Sequence, residues 1–131
     1  MIAHPGSAAD WLRRAHSDLS LARMPQPDGV LLEDLCFHAQ QAAEKALKAV
    51  LVANLTPIPR THNIGMLLSL IPSDLDLPQA VDDATILTDY AVASRYPGHY
   101  EPVDEDEHRE AVALAEATVA WAQEQVEART S

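Results

Sequence analysis

At 131 residues the chain has the size of one domain and can bury a core without covalent staples. Nine Lys plus Arg against twenty Asp plus Glu leave a formal charge of −11, which repels polyanions at long range and disfavours general nucleic-acid binding, although screening over ~8 Å at ~0.15 M salt leaves room for a local basic pocket. The single cysteine, Cys36, excludes an intrachain disulfide, the opening MIAHPGSAADW lacks a signal core, and no run reaches the ~18 apolar residues of a membrane span, so a reducing cytoplasm is the expected setting.

Five helices are predicted between the prolines, since an interior proline breaks a helix. The first runs from about Ser7 or Asp10 to Met24, with Trp11, Ala15, Leu19 and Ala22 on one stripe and Leu12 beside it. The second places Leu31, Leu32, Leu35, Cys36, Ala39, Ala42, Ala43, Ala46, Leu47, Val50 and Leu51 at three- and four-residue steps, with Asp28 as the expected cap. Its alanines invite close approach by a neighbour, and Cys36 reads as a small buried hydrophobe. A short third helix is expected from Asn63 to Ile71, capped by Thr61 or Asn63 and apolar along Ile64, Leu67, Leu68 and Ile71.

The fourth, from about Pro78 to Ser94, starts on a proline in its permitted first turn and aligns Val81, Ala84, Leu87, Thr88 and Ala91. The last, from about Asp104 to Ala128, opens on acidic residues that suit the positive end of a helix and continues through Val112, Ala115, Val119, Ala122 and Val126. No segment alternates with the period of two that marks strands. The expectation is an all-α, up-and-down bundle of about five helices in one domain spanning residues 1–131.

Three segments carry a family resemblance: Trp11 to Leu19 in the form WxxxAxxDL, Cys36 to Ala49 reading CFHAQQAAEKALKA, and Asp89 to Pro97 reading DYAVASRYP, with Thr61-His62-Asn63 between the last two. In this order they resemble the HEPN family (higher eukaryotes and prokaryotes nucleotide-binding). The resemblance implies a helical bundle that forms a homodimer and is often encoded beside a minimal nucleotidyltransferase as a toxin–antitoxin pair. Many members are metal-independent RNases marked by an Arg and, after four to six intervening residues, a His. Arg95 matches the first element, but only Tyr96, Pro97 and Gly98 separate it from His99, one fewer than that motif asks. Nucleotide-binding members that keep an Arg-Tyr-Pro turn without the RNase His are nearer in pattern.

Cleavage of RNA by its own 2′-hydroxyl needs a base, an acid for the leaving oxygen and a cation for the phosphorane charge. Arg95 and His99 can divide these roles, doubled across a symmetric dimer. Equally, Arg95 can close a helix C-terminus and His99 be a plain loop residue. A second constellation lies on the second helix, where His38, Gln41, Lys45 and Lys48 share a polar face. With Arg60, His62 and Arg95 that face would be the one basic patch of an acidic chain, suited to a nucleotide or an RNA end, and Tyr96 could stack a base beside Arg95. The plainer reading leaves Gln41 and Lys45 solvated, pairs Glu44 with Lys48, and half buries His38.

Trp11 and Trp121 read as core or interface rings, and Arg13 and Arg14 as surface charges. The acidic residues 104–107 are consecutive and point around a helix axis, and no HExxH, P-loop or GxGxxG is present, so neither a metal nor a cofactor is expected. Three functions stay open: a nucleotide-binding interaction module paired with a nucleotidyltransferase, an RNase toxin using Arg95 and His99, and a purely structural subunit. Leu47, in the middle of the longest stripe, should be a core residue; Leu47→Ala is expected to cost ~2–5 kcal/mol in denaturant melts through the cavity it leaves.

Overall fold

The computed structural model describes residues 4–91 and 102–130. Those residues form five α-helices, α1 (Ala8–Ala22), α2 (Leu32–Ala53), α3 (Ile64–Ser69), α4 (Gln79–Asp83) and α5 (Glu105–Thr130), with a 3-10 helix, Ala84–Ala91, continuing α4. No strand occurs among them, and no described helix is long and apolar enough to cross a membrane.

Local chemistry sets the ends of these helices. Ser7 Oγ accepts from the Asp10 N–H at 3.1 Å, satisfying a donor that the first turn of α1 leaves open, and the Asp10 carboxylate reciprocates on the N–H of Gly6, just ahead of the cap, at 3.1 Å. The expected Asp28 cap is not used. Val30 N–H bonds to Pro27 O at 3.1 Å and Gly29 takes φ 80°, so Pro27–Val30 is a tight turn with glycine at its left-handed position. That turn delays α2 until Leu32, and Leu31, assigned to the apolar stripe above, becomes an N-cap with no side-chain bond, 57% exposed. Asn63 caps α3 by accepting from the Met66 N–H at 3.0 Å, and Asp104 caps α5 by accepting from the Glu107 N–H at 2.8 Å.

The fourth predicted helix is α-helical only through Asp83. Its buried residues are Val81, Ala84, Leu87 and Ala91; within the 3-10 stretch Ala84 and Leu87 fall three apart, the 3-10 period, which stacks them on one edge, and Ala91 follows at four. The remainder of that prediction, Val92 to Ser94, lies outside the described residues.

α2 is the axis of the bundle. It packs against α1, α5, α3 and the 3-10 helix, and Ala39, Ala42, Ala43, Ala46 and Ala49 are fully buried, so side chains too small to hold neighbours apart face them on several sides. Lys48 lies over Trp11 while Lys45 meets Asp18, so α1 runs antiparallel to α2. His108 reaches Ala22 O and Gln123 reaches His16, so α5 runs antiparallel to α1 as well. Leu47, Leu51, Ile64, Leu67, Leu87 and Val119 are buried at the centre. Trp121 is buried on α5 and donates its indole N–H to Asp76 O at 2.9 Å, which holds the connection ahead of α4 against the core.

α2 ends in a paired-bond motif: Thr56 N–H bonds to Leu51 O at 2.9 Å and Leu55 N–H to Val52 O at 3.0 Å. This puts Leu55 at φ 57°, a conformation that glycine adopts freely and a leucine does not, with its side chain 93% exposed and nothing gained by its apolar bulk. Leu55→Gly is therefore expected to raise stability by about 1 kcal/mol in a thermal or urea melt.

Candidate functional site

The polar residues of α2 converge on two carboxylates. Asp18, on α1, accepts from Lys45 Nζ at 2.6 Å and meets His38 Nδ1 at 2.9 Å. Glu44, on α2 itself, accepts from Lys48 Nζ at 2.8 Å and from Gln40 Nε2 at 3.0 Å, and meets His62 Nδ1 at 2.8 Å. Each carboxylate thus holds one lysine and one imidazole through Nδ1. The carboxylates only accept, so each Nδ1 carries a hydrogen and each Nε2 is the nitrogen left for another partner.

The two triads differ in exposure. Glu44 is 3% exposed at its side chain, whereas the His62 side chain it holds is 67% exposed. His38 and Lys45 are half-buried against Asp18. Gln40, fully buried, also donates to His62 O at 3.1 Å, fixing the backbone of that residue as well as its ring. Gln41 donates to Gln40 Oε1 at 2.6 Å, and the Lys48 ammonium lies 5.4 Å from the centroid of the Trp11 ring, over its face. Of the sequence-level candidates, His38, Gln41, Lys45, Lys48 and His62 share one strip. Arg95, Tyr96 and His99 lie outside the described residues.

Asp18, Gln40 and Glu44 were not among the candidates, yet the sequence held a signal for them. Positions 11, 15, 18 and 22 step by four, three and four, as do 40, 44, 47 and 51, so each run is a buried helix stripe with polar residues on it. A charge at such a position must find partners. Burial alone would push the Glu44 carboxyl up, but the bonds from Lys48, Gln40 and His62 outweigh it and hold the group below its ordinary value.

Other titrating groups lie apart. The Asp10 carboxyl is held down to about 2 by the Gly6 N–H, then by Arg13 and Arg14, the two arginines expected as surface charges. Burial pushes the Cys36 thiol up to about 12, with Glu107 and Glu33 adding to the shift, so it is a core residue rather than a nucleophile. Among the described residues no group of three or more His, Cys, Asp and Glu side chains is placed to hold a metal ion.

An axial alanine-lined helix, flanked by the antiparallel α1 and the parallel α5 and carrying a carboxylate–imidazole–lysine strip, defines an all-α bundle protein. Residues 8–125 match the HEPN domain. The fold is similar to the crystal structure of TT1696 from Thermus thermophilus, with 33% identity, a TM-score of 0.81 and coverage of 92% of this chain and 98% of that one. It is also similar to ST0689, an archaeal HEPN homologue, at 30% identity and a TM-score of 0.73, over the same shares of the two chains. No protein of curated function matches. The chain belongs to the HEPN family.

Two measurements test the Glu44 network. Lys48→Met strands a buried carboxylate and is expected to cost about 3–5 kcal/mol, most of which the double variant Glu44→Gln/Lys48→Met should recover. Because Glu44 titrates below its ordinary 4.5, the stability it contributes is present above that value and lost as pH falls through the folded one. Urea midpoints below pH 4.5 should therefore fall less steeply in Glu44→Gln than in the natural chain.

Proposed function

We propose that the protein is a nucleotide-binding and interaction module, a homodimer acting with a nucleotidyltransferase partner in a toxin–antitoxin-like pair. The observation that carries this reading is the exposed His62 ring held by the buried Glu44 carboxylate. Asp18, Glu44, Lys45 and Lys48 cancel one another in formal charge, so the lysines alone do not attract a phosphate. What is left uncompensated is the Nε2 edges of His38 and His62, together with Arg60, an exposed arginine with no ion-pair partner among the described residues. Arg60 stands two residues before His62, and a protonated imidazole beside a guanidinium is a fit for phosphate oxygens. Arg95 and Tyr96 belong to this reading through the Arg-Tyr-Pro sequence alone, and HEPN membership supports both the dimer and the nucleotide.

Titration with adenosine 5′-monophosphate tests the site. Arg60→Ala and His62→Ala are each expected to weaken binding about tenfold, in line with the loss of one charge-assisted hydrogen bond. Affinity unchanged in both variants would remove the strip from the site. Metal-free cleavage of an RNA panel that disappears in both Arg95→Ala and His99→Ala would instead establish the RNase reading. Light scattering should give twice the 14.3 kDa chain mass, and a mass of one chain would exclude the dimer.

A further inference from the structure

Where α1 stops and α5 begins, a cleft of about 250 Å³ opens between the Arg23–Gln26 turn and the first turns of α5. Arg23, His108 and Arg109 line it alongside the apolar Met24, Pro25 and Leu32, with Glu105 as the carboxylate in its wall. None of these residues belongs to the α2 strip. We propose that the cleft is a second ligand site, which takes a small anion carrying an apolar group: a phosphate monoester or carboxylate with a short alkyl or aryl body.

The cationic side of the cleft is partly built in. His108 Nε2 sits 2.7 Å from Ala22 O, a carbonyl that can only accept, so Nε2 bears the hydrogen and the ring is pinned across the end of α1. Its Nδ1 is the ring nitrogen left for a ligand. Arg23 pairs with Glu116 at 3.5 Å and Arg109 with Asp106, and all four side chains are largely exposed. Ion pairs in that setting contribute little, so either guanidinium can exchange its carboxylate for a ligand anion. Two guanidiniums and an imidazole thus share one concavity, with Glu105 as its lining carboxylate and Glu116 and Asp106 as partners that a ligand anion would replace.

The apolar side selects among anions. Met24 is 42% exposed beside Pro25 and Leu32, and a flexible thioether next to two rigid apolar groups adapts to a short hydrocarbon or ring. An inorganic anion would leave that wall wet. The cleft, about 250 Å³, lies just below the ~300–1,000 Å³ of pockets for larger ligands, which matches it to a phosphate or carboxylate on one ring.

The site is tested on the full chain by isothermal titration and amide-shift mapping with phenyl phosphate, benzoate and inorganic phosphate. The expected result is saturable binding of phenyl phosphate, benzoate or both, at least tenfold tighter than inorganic phosphate, with shifts centred on Arg23, His108 and Arg109. Which of the two binds identifies the anionic group. The double variant Arg23→Gln/Arg109→Gln should keep its melting temperature and lose at least tenfold in affinity, while the ligand-induced shifts at Arg23, His108 and Arg109 should persist in His62→Ala, which separates this cleft from the nucleotide site proposed above. The proposal is overturned by no saturable binding of either organic anion, by equal affinity for inorganic phosphate, by shifts centred on α2, or by undiminished binding in the double variant.

Discussion

Everything in this bundle is arranged around a helix that has almost no free surface over its middle turns. The five alanines of α2 from Ala39 to Ala49 are fully buried because neighbours close on the helix from several directions. A helix so enclosed cannot keep its polar residues in water simply by turning them away. Gln40, Glu44 and Lys48 lie on the flank of the alanine stripe and are buried with it, so the internal pairing of the strip follows directly from the closeness of the packing.

That pairing has consequences for specificity as well as stability. A buried ion pair contributes little net free energy compared with an apolar pair of the same shape, but breaking one partner of it is expensive. Sliding α1 along α2 by one turn would part Asp18 from His38 and Lys45 together, and moving the segment that carries His62 would leave Glu44 short of one donor. Alanine faces by themselves have few features to distinguish one register from the next. The carboxylates supply what the alanines lack: a penalty for every wrong alignment of the helices that meet on α2.

The fold was legible in the sequence wherever an apolar stripe ran for several turns between prolines. α1, α2 and α5 were readable for that reason, and Asn63 was readable as the cap of α3 because its side chain bonds locally. Two features were misread. Asp28 has the chemistry of a cap, but the turn built on Pro27 and Gly29 uses the same residues and wins. The 84–91 segment satisfies a helical pattern at either three or 3.6 residues per turn over so short a span, and its actual period is decided by packing against α2 and α3. As for the strip, His38, Gln41, Lys45 and Lys48 were visible on one face of α2, and Glu44 as the (i, i+4) partner of Lys48, whereas Asp18 and Gln40 were hidden in apolar stripes. Pairing across helices, as between Asp18 and Lys45, leaves no trace in local spacing.

The change of helix type after Asp83 also sets a length. Eight residues of 3-10 helix advance by about 2.0 Å each, where an α-helix advances by about 1.5 Å, so Ala84–Ala91 spans about 4 Å more than the same residues would in α form. The segment acts as a spacer whose reach depends on its winding. If it rewound into an α-helix, its two ends would draw together by about the distance between neighbouring Cα atoms and turn relative to each other about the axis, while Ala84 and Leu87 would no longer stack on one edge.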